Sequence, residues 1–270
     1  MLAVMSGIDH GDVHVVQDGS PGAPALLLLQ NAATPIALWD PVVAALAGAH
    51  RVIRADLVGH GRSGPAARYD VPAQAGRAGA ALDRLGAGRV TVVGHSSGGM
   101  VATALAEQRP GQVAALALIN TGPSQDAKIP DSPLVRLLDA PLAGPLLWRL
   151  KTEGTVRKAA RTAFTRPVDI PDALIAHTQA MTYRSFTATM GGYWDYLGQR
   201  SIPGRLAGLG LPLLVIFGAD DRRWRSASAA AYREVPGARV ELLPGVGHTP
   251  IFEDPRTTAT LLLDFAAAHP

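Results

Sequence analysis

Short apolar runs alternate along this chain with longer stretches in which apolar residues recur every three or four positions. Val13–Gln17, Ala25–Leu29, Arg51–Asp56, Arg89–Gly94 and Val113–Asn120 have the length and content of strands. Ala25–Leu29 reads ALLLL, with no polar position, so both of its faces are expected to be buried. Between these runs, Trp39–Ala47, Val71–Leu85 and Ser97–Gln108 carry helical spacing. Asp40-Pro41 opens the first, and Pro110-Gly111 follows the third and stops it. Strands that alternate with helices of this length predict right-handed crossovers, a mainly parallel sheet and an α/β fold.

From Gly122 to about Arg205 the alternation stops, leaving Pro-punctuated helical segments without a convincing strand. It resumes with a strand at Leu211–Gly218, a helix around Ser226–Val235, a strand at Arg239–Leu243 and a closing helix over Pro255–Ala268. The simplest organisation is one core, 1–121 with 206–270, into which a helical cap, 122–205, is inserted. That insertion holds 11 Lys and Arg against 7 Asp and Glu, and 7 of the chain's 14 aromatic residues, Trp194 among them. It reads as a lid with a basic rim over an apolar pocket, or as a thin helical layer that needs large side chains to make a core.

Composition narrows the classes. With 47% hydrophobic and 17% charged residues, the 270-residue chain is globular in type. It has no cysteine, which excludes disulfides, thiolate metal sites and a thiol nucleophile. The excess of three positive charges is dispersed, which makes a poor nucleic-acid footprint, so no nucleic-acid partner is expected. No apolar run is long enough to span a bilayer, and the first residues lack the basic start of a signal peptide; the expectation is a cytoplasmic protein without a membrane partner. The histidines show no metal spacing, so neither a metal nor a cofactor is expected.

Gly94-His95-Ser96-Ser97-Gly98 matches G-x-S-x-G, with a strand before it and a helix directly after. So tight a corner strains its central residue, Ser96, and presents it at the C-terminal edge of the sheet. Ser97 then opens the helix, where its backbone N–H can face a developing oxyanion. A serine nucleophile needs a base, and the base needs an orienting acid. Asp220-Asp221 and His248 follow in that order, each in a loop after a strand. A competing match, Gly59-His60-Gly61-Arg62-Ser63-Gly64, has the spacing of a dinucleotide fingerprint. Pro65 follows it and no helix begins before about Val71, so it lacks the helix that would bind phosphate.

Taken together, Asp56–Gly64, Gly94–Gly99, Gly218–Asp221 and Gly247-His248 resemble the D-x-x-G-H-G-x-S, G-H-S-x-G-G, G-x-x-D and G-H motifs of the α/β-hydrolase superfamily. The resemblance runs over essentially the whole chain. It implies a mostly parallel sheet of the eight-stranded type flanked by helices, and a Ser96–Asp221–His248 triad with Asp221 favoured over Asp220. It also implies Ala32 N–H as a second oxyanion donor beside Ser97. One position departs: where the family usually has His-Gly, this chain has Gln30-Asn31. Asn tolerates a left-handed backbone, which would still turn the Ala32 N–H inward. With Trp39-Asp40-Pro41, this stretch resembles the 3-oxoadipate enol-lactone hydrolase branch.

The function expected is that of a serine hydrolase acting on a carboxylic ester or lactone, an anionic substrate being suited to the basic cap, with Asn31, Trp194 and Trp224 as candidate pocket residues. Hydrolysis of a C–C bond or perhydrolysis by the same triad is the alternative within the fold. A ligand receptor or a non-hydrolytic cyclase is the alternative of another class. The sequence does not fix the oligomeric state.

Overall fold

The computed structural model describes residues 5–10 and 13–269. Eight strands form one sheet: β1 (Met5–His10), β2 (Val13–Asp18), β3 (Ala25–Leu29), β4 (Arg51–Ala55), β5 (Val90–His95), β6 (Val113–Ile119), β7 (Leu213–Gly218) and β8 (Arg239–Leu243). Their order is β1-β2-β4-β3-β5-β6-β7-β8. The first two pairings, β1 with β2 and β2 with β4, are antiparallel, and the rest are parallel. Seven strands were legible as apolar runs; β1, MSGIDH, has no such pattern and is placed by pairing with β2.

β3 lies between β4 and β5 and is buried at every position, as its unbroken apolar run requires. Two apolar clusters pack on the two faces of the sheet. Leu27, Leu29, Val92 and Leu116 face one, and Leu26, Leu28, Val93 and Ala117 face the other. The alternation along each strand is the pleat itself.

The core helices are α1 (Asp40–Leu46), α2 (Val71–Arg84) and α3 (Ser97–Gln108). Asp70 caps α2 by accepting the Ala73 N–H at 3.0 Å. Between β6 and β7 the regular elements are all helical: α4 (Pro133–Arg136), α5 (Ala143–Arg149), α6 (Glu153–Arg161), α7 (Asp172–Ala180), α8 (Tyr183–Gln199) and α9 (Ile202–Leu206), with short 3-10 turns among them. The chain closes with α10 (Pro250–Glu253) and α11 (Pro255–Ala268). The helix expected over Ser226–Val235 is a 3-10 helix, Ser226–Glu234. Among the described residues, no helix is long and apolar enough to cross a membrane.

Candidate active site

The parallel strands bring four loops to the C-terminal edge of the sheet, after β3, β5, β7 and β8. Strand β5 ends at His95 and α3 begins at Ser97, so Ser96 alone makes the corner. Its backbone sits at φ 53° and ψ −119°, which a non-glycine residue adopts only when its surroundings force it, at a cost of about 1–3 kcal/mol. The forcing is visible. Ser96 N–H donates to Ile119 O at 2.8 Å, and Thr121 Oγ1 donates to Ser96 O at 3.0 Å. The neighbouring backbones come so close that a Cβ on Gly94 would lie 2.5 Å from Gly99 Cα, and one on Gly98 2.3 Å from Leu29 O. These two glycines are needed for close approach.

At the corner, Ser96 Oγ lies 3.0 Å from His248 Nε2, and His248 Nδ1 lies 2.9 Å from Asp221 Oδ2. The carboxylate in contact is that of Asp221; Asp220 contributes only its backbone, to Val246 O and from Thr165 Oγ1. The second oxygen of Asp221 accepts the backbone N–H groups of Arg223 at 2.6 Å and Trp224 at 3.3 Å. Burial acts to raise the Asp221 carboxyl, but the His248 ring and the hydrogen bonds from His248, Asn120 and Arg223 outweigh it and hold the group below its ordinary range. Such an arrangement can pass a proton from a hydroxyl to an imidazole that a carboxylate orients from behind.

Three residues that the sequence reading left without a role support this line. Asn120 directly follows β6 with a left-handed φ of 45°, fully buried; its Nδ2 donates to Asp221 Oδ2 at 2.7 Å and its Oδ1 accepts Gly218 N–H at 3.2 Å. A polar residue closing an apolar run at the functional edge of the sheet is the signal that marks it. His95 donates Nε2–H to the His248 carbonyl at 2.8 Å. Burial, with the His248 ring beside it, depresses His95 to about 3, so the ring is neutral and keeps that donor.

The third is Glu253. Its buried carboxylate accepts four backbone N–H groups: Thr165 at 2.8 Å, Arg166 at 2.8 Å, Gly247 at 3.0 Å and Thr249 at 3.3 Å. Gly247 and Thr249 flank His248, and the His248 N–H itself donates to Ala163 O at 3.0 Å. One carboxylate therefore ties the histidine loop to the chain entering from α6. Glu253→Gln keeps the shape but offers one acceptor oxygen, and turns an NH₂ toward donors. We expect it to lower stability by about 3 kcal/mol, read from the urea unfolding midpoint, because charge-assisted bonds to buried N–H groups are lost.

The loop after β3 differs from expectation. The left-handed residue is Ala33, φ 66°, rather than Asn31. The Asn31 side chain accepts from Thr34 Oγ1 and closes the turn locally, which leaves the bend to fall two residues later. The Ala32 N–H, expected to stand open, donates to Ser97 Oγ at 2.8 Å. Gln30 is fully buried; in the orientation that satisfies its amide, the nitrogen donates to Ala55 O at 2.7 Å and the oxygen accepts Leu57 N–H at 2.8 Å. It thus splices the ends of β3 and β4. Trp194 and Trp224 come together, ring centroids 6.0 Å apart, and both pack on the core. Trp224 covers Gly122, where a Cβ would lie 2.3 Å from the indole. The Gly59–Gly64 match is a turn built on Asp56, whose carboxylate accepts Ile36 N–H at 2.9 Å and Arg62 N–H at 3.0 Å and meets His14 Nδ1 at 3.0 Å.

A family model described as "Alpha/beta hydrolase family" matches residues 22–261. The chain belongs to that family. Among its relatives, an uncharacterised protein of Mycobacterium tuberculosis is 32% identical over 252 residues, covering 86% of this chain and 72% of that protein. The lipase LipV of the same organism is 37% identical over 134 residues, 50% of this chain and 49% of that one. The crystal structure of an enol-lactonase from Burkholderia xenovorans superposes with a TM-score of 0.71 at 25% identity, covering 94% and 96% of the two chains. The strained serine corner and the loop order Ser, Asp, His are thus set on an α/β-hydrolase frame.

Proposed function

We propose that this α/β hydrolase cleaves carboxylic esters or lactones through an acyl-enzyme on Ser96. The observation that carries the reading is the continuous line from Ser96 Oγ through His248 to Asp221, at 3.0 and 2.9 Å. In it, His248 Nε2 takes the hydroxyl proton as Oγ attacks the carbonyl carbon, and a tetrahedral oxyanion forms. His248 then gives that proton to the departing alkoxide, and the C–O bond breaks. Water, deprotonated by the same imidazole, attacks the acyl carbon; the acyl–Oγ bond breaks, Ser96 Oγ takes the proton back from His248, and the acid leaves. Asp221 keeps Nδ1–H in place and stabilises the imidazolium.

The oxyanion donors in this reading are the N–H groups of Ser97 and Ala32. The first N–H groups of a helix have no partner within it, and Ser97 opens α3. Ala32 N–H is engaged by the Ser97 hydroxyl, which must rotate away before the oxyanion can take its place. Each such donor contributes about 10²–10³ in rate. We assign residues 122–205 as the cap over this edge. The stretch between α6 and α7 is its fixed side: Arg166 donates to Gly245 O and Glu253 O, and Arg223 reaches back to Thr162 Oγ1 at 2.7 Å.

A fluorophosphonate probe tests the nucleophile directly. Intact mass should show one adduct on the wild-type chain and none on Ser96→Ala. A folded wild type that takes up no probe would remove the activated serine and, with it, the acyl-enzyme.

A further inference from the structure

Among the described residues, six large apolar side chains are exposed, and five lie between 135 and 150: Val135, Leu137, Leu142, Leu146 and Leu150. Leu142 is 91% exposed, Leu150 65% and Leu146 59%. These three are spaced by four residues, Leu142 as the N-cap, Leu146 within and Leu150 as the C-cap of α5, all with helical backbone, so they share one face. The opposite face is already used. Gly144 packs against Tyr183 and the Leu138 carbonyl, and the Trp148 ring stacks on Phe186 at 4.6 Å while its Nε1–H donates to Met181 O at 2.8 Å. α5 is therefore held to α8 from below, with a row of leucines turned to solvent. Scattered exposed leucines are ordinary; a contiguous set on one helix marks a contact surface.

The charges around the row select its partner. Residues 135–151 contain Arg136, Arg149 and Lys151 against one acid, Asp139. Arg149 is exposed and has no hydrogen-bond or ion-pair partner among the described residues. Arg136 is exposed and gives its Nε–H to the Asp131 carbonyl, whereas Lys151 Nζ is turned to the packed side, 3.8 Å over the Trp148 ring and donating to Met181 O at 2.9 Å, so the two guanidinium groups make the collar. An apolar row collared by cations is the signature of a helix that lies in the headgroup layer, leucines toward the acyl chains and guanidinium groups on the phosphates. A second copy docked on the same face would bring this collar against its own like charges.

We propose that the α4–α5 face of the cap docks on an anionic lipid surface. The absence of an apolar run long enough to span a bilayer does not bear on this, because such a helix lies in the interface plane and does not cross it.

Co-sedimentation of the full chain with phosphatidylcholine vesicles, with and without phosphatidylglycerol, tests it. Wild type should sediment with the anionic vesicles, less at high salt, and far less with phosphatidylcholine alone. Leu142→Ser with Leu146→Ser should lower the partition about a hundredfold, roughly tenfold per leucine, with an unchanged melting temperature. Arg149→Glu should weaken only the anionic case. No sedimentation with either vesicle overturns the proposal, as does equal binding by the double-serine variant. A concentration-dependent dimer that this variant abolishes, without vesicle binding, assigns the face to a second copy instead. None of these readings requires turnover, so the result stands apart from that of the serine probe.

Discussion

Ser96→Ala is expected to lower kcat on a simple ester by about 10⁶-fold while leaving the melting curve in place. The size follows from the geometry. Without Oγ nothing lies at 3.0 Å from His248 Nε2 to be deprotonated, and the imidazole and Asp221 have no substrate for their base function. What survives is catalysis by oxyanion donors and binding, about 10³–10⁴ over water. The fold should tolerate the change because the corner is held by the backbone contacts of Ser96 with Ile119 and Thr121, which alanine retains. Steady-state kinetics with unfolding of the same preparations reads both parts. Activity within tenfold of wild type would mean that Ser96 is not the nucleophile.

Acid should destabilise the protein well above the carboxylate range. His95 is depressed to about 3 by burial and the neighbouring His248 ring; His177 to about 4 by burial, His60 and Lys151; and His60 is lowered by burial, which outweighs the Val58 carbonyl and Asp56. In the unfolded chain these imidazoles titrate near 6.5. Between the two ranges the unfolded state binds more protons, so stability rises with pH and is lost as pH falls below about 6.5. Each fully excluded imidazole contributes a slope of about 1.4 kcal/mol per pH unit. His95 alone then removes about 2 kcal/mol between pH 6.5 and 5, and the partly exposed His177 adds less. Asp221 has the opposite kind of shift to the same end: its depressed carboxyl stabilises the fold above the ordinary carboxylate range and ceases to do so as pH falls through its folded value. Urea unfolding at pH 7, 6 and 5 measures the slope. His95→Gln, which does not titrate, should flatten it, and parallel slopes for the two proteins would sink the assignment.

The structure places His60 and His177 in a stacked pair, centroids 5.8 Å apart, where the turn after β4 meets α7. His177 Nδ1 accepts Gly61 N–H at 3.2 Å, and both Nε2 atoms are buried without a partner. Nothing in the spacing of residues 60 and 177 foretells the meeting. Each reads locally as a loop or helix histidine, and only the docking of the helical segment on the core removes water from both.

The sequence by itself determined the α/β frame, because strands buried on both faces must be apolar at every position and crossover helices must show a 3.6-residue period. It also made the serine, the aspartate pair and the histidine candidates, since each lies in a loop directly after a strand, and strand ends are visible as the ends of apolar runs. Tertiary structure decided what depends on distance between segments. It set the Asp221 carboxylate against His248, as the motif resemblance had favoured, brought in Asn120 and Glu253, moved the left-handed residue from Asn31 to Ala33, and gave the Ala32 N–H to Ser97. It also paired β1, a strand with no apolar pattern of its own. Periodicity reports which face of a segment is buried, whereas a hydrogen bond between residues tens of positions apart is set by how the segments pack, which no local window contains.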